Sequence, residues 1–164
     1  MGTELISSQL MDSLVQYYKA QENKDITVIE NLFTDDSFIV SGIAKQNFDG
    51  SNRLPDQIQY FKKSKREYLA GVERGFLKVS SIKVNINKIE LEKHPYNSNL
   101  IGVIIHKETE SDGYKAIGQE FLIWDINNLQ EPKILARLWL PDGYMIDNSS
   151  QLLSLKADIY NRVL

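Results

Sequence analysis

Two residues that could carry acid–base chemistry, a histidine and a glutamate, lie in one predicted hairpin. The chain of 164 residues contains two histidines and no cysteine. His106 and Glu120 are the candidate acid–base pair, because a carboxylate buried near a histidine can have its pKa moved into a useful range. The lack of cysteine excludes disulfides, thiol catalysis and cysteine-ligated metals.

The register of that hairpin decides whether the two side chains can meet. Asp112-Gly113 lies between two apolar runs and is a strong signal for a two-residue turn. Counting back from this turn places Ile105 opposite Glu120 and His106 opposite Gln119. His106 and Glu120 then lie on opposite faces of the sheet and cannot touch. Each stays a weak single candidate, and no catalytic residue is assigned.

Glu120 has a second possible partner in the last predicted strand, where Arg137 stands two residues before Trp139. If Arg137 shares the face of Glu120, one interpretation is a buried ion pair that holds the sheet together. The other is an anionic ligand held by Arg137, with Trp139 as a wall. The sequence leaves both open, because the loop from Asn127 to Pro132 does not fix the register of this strand.

A ligand pocket can be proposed from aromatic and charged side chains. Its candidate members are Tyr17, Phe38, Tyr60, Glu120, Arg137 and Trp139. The aromatic ones are also ordinary core residues at helical spacing. No phosphate-binding glycine loop, nucleophile elbow or metal-ligand spacing is visible. The sequence therefore predicts neither a metal nor a cofactor.

Composition narrows the class of partner. The formal net charge of −3 argues against a general nucleic-acid binder. No apolar run approaches the ~18 residues of a membrane span. The start, Met1-Gly2-Thr3-Glu4, lacks the basic and apolar parts of a signal peptide. A cytoplasmic location is expected for the sequence as written, and an extracytoplasmic one if a signal peptide has been removed.

The elements that must position these residues begin with helices. Apolar residues at helical spacing predict a first helix from about Ser7 to Asn23, and Asp25 can cap a second one. Ser37 to Val40 is typical of a short strand. Pro55 suits the first turn of a third helix that ends at Gly75. The apolar stripe of this helix would be Ile58, Phe61, Leu69 and Val72.

From Lys78 onward the apolar period changes to two, which predicts strands. A shift of parity near Asn87-Lys88 indicates a β-bulge that bends the first of them. The next strands are Leu100 to Glu110, Tyr114 to Asp125 and Lys133 to Leu140, followed by a terminal helix from about Ser149. Helices first and a four-strand meander after them indicate an α+β fold. We expect one domain at residues 1–146, with 147–164 as its helical extension.

Several segments resemble one superfamily. Asp25 through Asp36 resembles the segment that ends the helical part of nuclear-transport-factor-2-like domains. Further matches, which resemble a bacterial subgroup with no established activity, are Lys65-Arg66-Glu67-Tyr68-Leu69, Lys93-His94-Pro95, Leu100-Ile101-Gly102-Val103, Phe121-Leu122-Ile123-Trp124-Asp125, Pro132-Lys133-Ile134 and Arg137-Leu138-Trp139-Leu140-Pro141. The resemblance implies a cystatin-like cone of N-terminal helices on a curved antiparallel sheet. It does not imply one activity, because the superfamily holds ketosteroid isomerase, SnoaL-type cyclases, scytalone dehydratase and non-enzymatic modules.

Two functional hypotheses follow. The first is a non-catalytic module that binds a small apolar or anionic ligand, or another protein, at the mouth of the cone. The second is a small isomerase, dehydratase or cyclase acting on an apolar organic substrate, with Glu120 or His106 as base. Both strands of the hairpin are apolar on both faces, so each face needs cover. This predicts a homodimer packed through the sheet, unless the C-terminal helix covers the outer face alone.

Overall fold

Helices pack on one face of a curved, unclosed sheet in residues 2–44 and 58–141, the part of the chain that the computed structural model describes. The helices are α1 (Gly2–Glu22), α2 (Ile26–Leu32) and α3 (Lys65–Lys78). The strands are β1 (Phe33–Ala44), β2 (Ile58–Lys63), β3 (Ile82–Lys93), β4 (Leu100–Ser111), β5 (Tyr114–Asp125) and β6 (Lys133–Pro141).

The first two helices form where the sequence predicts them, except that α1 begins at Gly2 and not near Ser7. In α1, Leu10, Leu14 and Tyr17 recur every three or four residues and are buried against the sheet. Asp25 precedes α2, and its carboxylate accepts a hydrogen bond from the amide of Val28 at 3.2 Å. Such a cap satisfies one of the amides that the first turn of a helix leaves free.

The predicted extent of the third helix is wrong. Residues 58–63 form β2, which pairs antiparallel with β1, because isoleucine, tyrosine and phenylalanine fit the pleated surface of a sheet well. The helix starts at Lys65, after a capping box in which Ser64 and Glu67 bond each other's backbone amides. It also continues past Gly75 to Lys78. Pro55 lies outside the described residues.

The late strands form the predicted meander. The sheet order is β2-β1-β6-β5-β4-β3, and all neighbours are antiparallel except β1 and β6, which are parallel. A register shift between Ile86 and Lys88 confirms the bulge in β3. Asp112 and Gly113 both have positive φ, as a two-residue turn with the twist of a hairpin requires. The predicted pairing of Ile105 with Glu120 is confirmed.

Each face of the sheet carries its own apolar cluster. The face toward the helices buries Val103, Leu122 and Trp124 against α1 and α2. The opposite face buries Phe121, Ile123 and Leu138. The terminal helix predicted to cover this second face, and the boundary predicted at residue 146, lie outside the described residues.

Candidate functional site

The register of β6 places Arg137 on the same face as Glu120. Trp139 lies opposite Glu120 in the pairing of β5 with β6, and Arg137 lies opposite Leu122. Residues two apart along a strand share a face, so the three side chains all point toward the helices. The loop before β6 had left this point open in the sequence.

A buried ion cluster is centred on Glu120, whose side chain is 0% exposed. One carboxylate oxygen, Oε1, accepts from Lys107 Nζ at 3.1 Å and from the hydroxyl of Tyr18 at 2.6 Å. The other, Oε2, accepts from Arg137 Nε at 2.5 Å and from the hydroxyl of Tyr17 at 3.4 Å. We call these five residues the Glu120 cluster. Both carboxylate oxygens are thus fully engaged by donors.

Aromatic rings enclose the two cations of the cluster. Lys107 Nζ lies 4.8 Å from the ring centre of Tyr18 and 5.2 Å from that of Trp139. The Arg137 guanidinium lies 4.9 Å from the ring centre of Tyr68, whose hydroxyl is 2.9 Å from that of Tyr17. Such cation–π contacts stabilise a charge most where water is excluded.

The cluster fixes the charge of its members. Burial by itself would raise the pKa of Glu120, but the Lys107 ammonium, the Arg137 guanidinium and the Tyr18 hydroxyl together lower this pKa to about 2. Burial raises the pKa of the Tyr17 and Tyr18 hydroxyls, so they stay neutral donors. Burial lowers the pKa of Lys107, and the Glu120 carboxylate opposes this shift. Near neutral pH, Glu120 is therefore a carboxylate that neither accepts nor gives a proton.

Gly118 leaves the room that Trp139 needs. It faces Lys107 across the β4–β5 pair and Pro141 across the β5–β6 pair. A Cβ atom at this position would lie 2.9 Å from Cη2 of Trp139 and would clash with the carbonyl oxygen of Leu140. The missing side chain lets β6 and the Trp139 ring approach closely.

A cavity of about 250 Å³ adjoins the cluster between α3, the end of α1, and strands β3 and β4. Its described lining residues are Gln21, Tyr68, Val72, Gly75, Phe76, Val79, Ile82, Thr109, Ser111 and Arg137. Arg137 is thus shared, because it binds Glu120 on one side and borders the cavity on the other. This volume is just below the usual range for ligand pockets, which suits a small ligand.

The candidate residues from the sequence divide between the two faces. Tyr17, Glu120, Arg137 and Trp139 meet at the Glu120 cluster or its aromatic border. Phe38 and Tyr60 pack against the apolar cluster of the opposite face instead.

His106 also lies away from Glu120, as the hairpin register predicts. Its Nε2 is 3.2 Å from a carboxylate oxygen of Glu90 on β3. Within residues 2–44 and 58–141, no three carboxylate or histidine groups converge as a metal site would need. None of the described helices is long and apolar enough to cross a membrane.

Sequence reasoning missed Lys107, the most buried cation of the cluster. Its side chain is only 4% exposed. The signal was available, because Lys107 has the same parity as Val103 and Ile105 on β4 and so continues the face that carries Glu120. A lysine at the end of a buried apolar series needs a partner.

Solved structures share this arrangement of helices and strands. An NTF2-like protein from Cytophaga hutchinsonii aligns over 86% of this chain and 99% of its own, with a TM-score of 0.61 and 14% identity. The chain has the nuclear-transport-factor-2-like fold. This confirms the fold that the resemblance of its segments implies.

Two further matches to solved structures show how little this fold says about activity. A chain of naphthalene 1,2-dioxygenase aligns over 89% of this chain and 83% of its own, with a TM-score of 0.66 and 7% identity. Bd1075 from Bdellovibrio bacteriovorus aligns over 82% of this chain with a TM-score of 0.60 and 16% identity, and this chain spans only 40% of it. No family model and no curated protein matches the sequence. Likeness at such low identity is likeness of fold.

Proposed function

We propose that this chain is a non-catalytic module that binds a small organic ligand in the cavity beside α3. The observation that carries the proposal is the state of Glu120. Both of its oxygens are bonded to donors, its pKa is lowered to about 2, and it is not among the described residues that line the cavity. A general base works best when its pKa lies near the working pH.

An acid–base enzyme is the weaker alternative, because Glu120 is already bonded to cations and its pKa is low. Glu120 would first have to leave Lys107 and Arg137, and separating a buried carboxylate from its cations is costly. His106 lies on the opposite face and pairs with Glu90. The cavity itself is bordered by neutral polar groups, apolar side chains and Arg137, which is the usual make-up of a binding pocket.

Two glycines of α3 offer a matched test. Gly75 borders the cavity, and a Cβ atom there would meet no heavy atom within 4 Å, so the backbone has room for a side chain and Gly75→Leu should narrow the cavity. Gly71 lies one turn earlier and does not border the cavity, and a Cβ atom there would meet only the guanidinium of Arg74 at 3.7 Å. Gly71→Leu is therefore the control.

The experiment is a screen of small aromatic and aliphatic compounds by protein-observed NMR. We expect compounds that bind the wild type and Gly71→Leu, and that no longer bind Gly75→Leu. A bound compound should also raise the free energy of unfolding, by about 2.7 kcal/mol when its concentration is a hundred times its Kd. Every compound should be recovered unchanged. Conversion of a compound by the wild type, lost in Glu120→Gln, would instead establish the enzyme.

The homodimer packed through the sheet stays a prediction. In the single chain, Phe121, Ile123 and Leu138 on the second face are already buried, so their burial does not by itself require a second copy. Exposed apolar side chains remain on the strands, among them Leu91 and Ile117, each close to half exposed. Sedimentation that shows only monomer at micromolar concentration would exclude the dimer.

A further inference from the structure

With both of its basic side chains protonated, the Glu120 cluster carries one positive charge more than its carboxylate neutralises. It contains two cations, Lys107 and Arg137, and a single carboxylate. The hydroxyls of Tyr17 and Tyr18 stay neutral, because burial and the nearby carboxylate raise their pKa. The side chains of both cations are largely buried, at 4% and 11% exposed. An excess charge held away from water costs free energy unless an anion accompanies it.

The excess charge borders the cavity, because Arg137 is one of the residues that line it. Arg137 is its only charged residue among those described, and the cavity wall also includes the hydroxyl residues Thr109 and Ser111 of β4. No described carboxylate borders the cavity, so nothing there repels an anion. The rest of the wall is formed mainly by apolar side chains such as Phe76 and Val72.

Arg137 keeps donors for a further partner. A guanidinium has five N–H donors. Its Nε donates to Glu120, and its Nη1 lies 3.4 Å from the hydroxyl of Ser41. Within the described residues its Nη2 makes no hydrogen bond. Guanidinium groups bind carboxylates and phosphates with short, charge-assisted bonds.

We propose that the ligand of the cavity is a small monocarboxylate, with its carboxylate paired to Arg137 and its apolar body against the side chains of α3. This inference rests on the proposed function and adds the chemical class of the ligand. One excess positive charge matches one negative charge. A phosphate monoester carries about −1.5 to −2 near neutral pH and would leave the site with unbalanced negative charge.

The test is calorimetric titration at pH 7 with three probes of similar shape, namely phenylacetate, phenylacetamide and phenyl phosphate. We expect phenylacetate to bind at least tenfold more tightly than the other two. We expect Gly71→Leu to keep this binding and Gly75→Leu to lose it. Arg137→Gln leaves Glu120 paired with Lys107 alone, so the excess charge is gone, and the preference for acid over amide should fall to about one.

The outcomes separate this inference from the function on which it depends. Suppose that phenylacetate and phenylacetamide bind equally and that Gly75→Leu loses both. The cavity would then still be a ligand site, but the proposal of a monocarboxylate ligand would be overturned. Tighter binding of phenyl phosphate would overturn it as well. Binding of none of the probes would overturn the monocarboxylate, whereas the ligand site itself is overturned only if the compound screen also finds no binder that Gly75→Leu loses. If Arg137→Gln does not fold, two measurements still test the proposal. They are the ratio of the affinities of the wild type for phenylacetate and phenylacetamide, and the loss of phenylacetate binding in Gly75→Leu.

Discussion

Replacing Glu120 by glutamine removes the charge at the centre of the buried cluster and keeps the size of the side chain. Lys107 and Arg137 would then lie beside a neutral amide, with no carboxylate between them. Removing one partner of a buried ion pair is strongly destabilising, because the other charge stays in the interior without a counterion. We therefore expect Glu120→Gln to lower the free energy of unfolding.

The size of the effect follows from the pKa of Glu120. It lies at about 2 in the folded chain against 4.5 for an ordinary glutamate. Each pKa unit corresponds to about 1.4 kcal/mol, so the charged form contributes about 3 kcal/mol. Deletions of one partner from buried pairs cost about 3–5 kcal/mol, which agrees. We expect about 3 kcal/mol, because Lys107 can relieve part of the strain by losing its proton.

The assay is urea denaturation of the wild type and Glu120→Gln at pH 7, with Glu108→Gln as the control. Glu108 lies on β4 and pairs with Lys115 at 3.2 Å, where the lysine side chain is 57% exposed. Such surface pairs contribute about 0–1 kcal/mol. The control should therefore unfold within 1 kcal/mol of the wild type. Adding Lys107→Met to Glu120→Gln should recover part of the loss, since it removes one of the two stranded cations.

The dependence on pH supplies a second check. Because the pKa of Glu120 is lowered on folding, its contribution is fully present above pH ~4.5 and is lost as the pH falls toward 2. The stability gap between wild type and Glu120→Gln should therefore close over that interval. A gap below 1 kcal/mol at pH 7, or one that widens in acid, would refute the buried ion pairs.

Three further substitutions test the elements that hold the site, each by thermal or urea unfolding. Trp124→Ala should cost about 3–5 kcal/mol, because the ring is fully buried; a loss under 1 kcal/mol would contradict that burial. Asp25→Ala should cost about 0.5–2 kcal/mol as the cap of α2 is lost, while Asp25→Asn should cost much less. If the stability of Asp25→Ala is unchanged, Asp25 does not stabilise α2 as its cap. Gly118→Ala should cost about 1–3 kcal/mol and shift the fluorescence of Trp139, because the new methyl group meets that ring and the backbone of β6. If Gly118→Ala changes neither the stability nor the fluorescence of Trp139, β6 can move away from the new methyl group.

Local signals in the sequence were enough to predict the hairpin and the bulge. Asp112-Gly113 fixes the turn, and from it the period of two fixes each pair up to Leu100 and Asp125. A shift of parity within one strand indicates a bulge, and β3 has one. The cap at Asp25 is local in the same sense.

The structural features that the sequence predicted wrongly or left open depend on contacts between distant segments of the chain. The stretch before Ser64 has apolar residues at both helical and strand spacing, and pairing with β1 decides for the strand. The register of β6 depends on a loop whose geometry the sequence does not specify, so the pairing of Arg137 with Glu120 could be stated only as a condition. Lys107 was overlooked because a lysine is ordinarily assigned to the surface.

The parallel pairing of β1 with β6 has a consequence for how the chain folds. Ile39 and Arg137 are partners in this ladder although they are 98 positions apart, whereas β3, β4 and β5 pair with their immediate successors. Contacts between distant positions require closure of a long loop, and proteins rich in them fold slowly. We expect the hairpins of the meander to form early and the β1–β6 seam late. Arg137 meets Glu120 through the early pairing of β5 with β6, so only its contact with Ser41 on β1 waits for the last stage of folding.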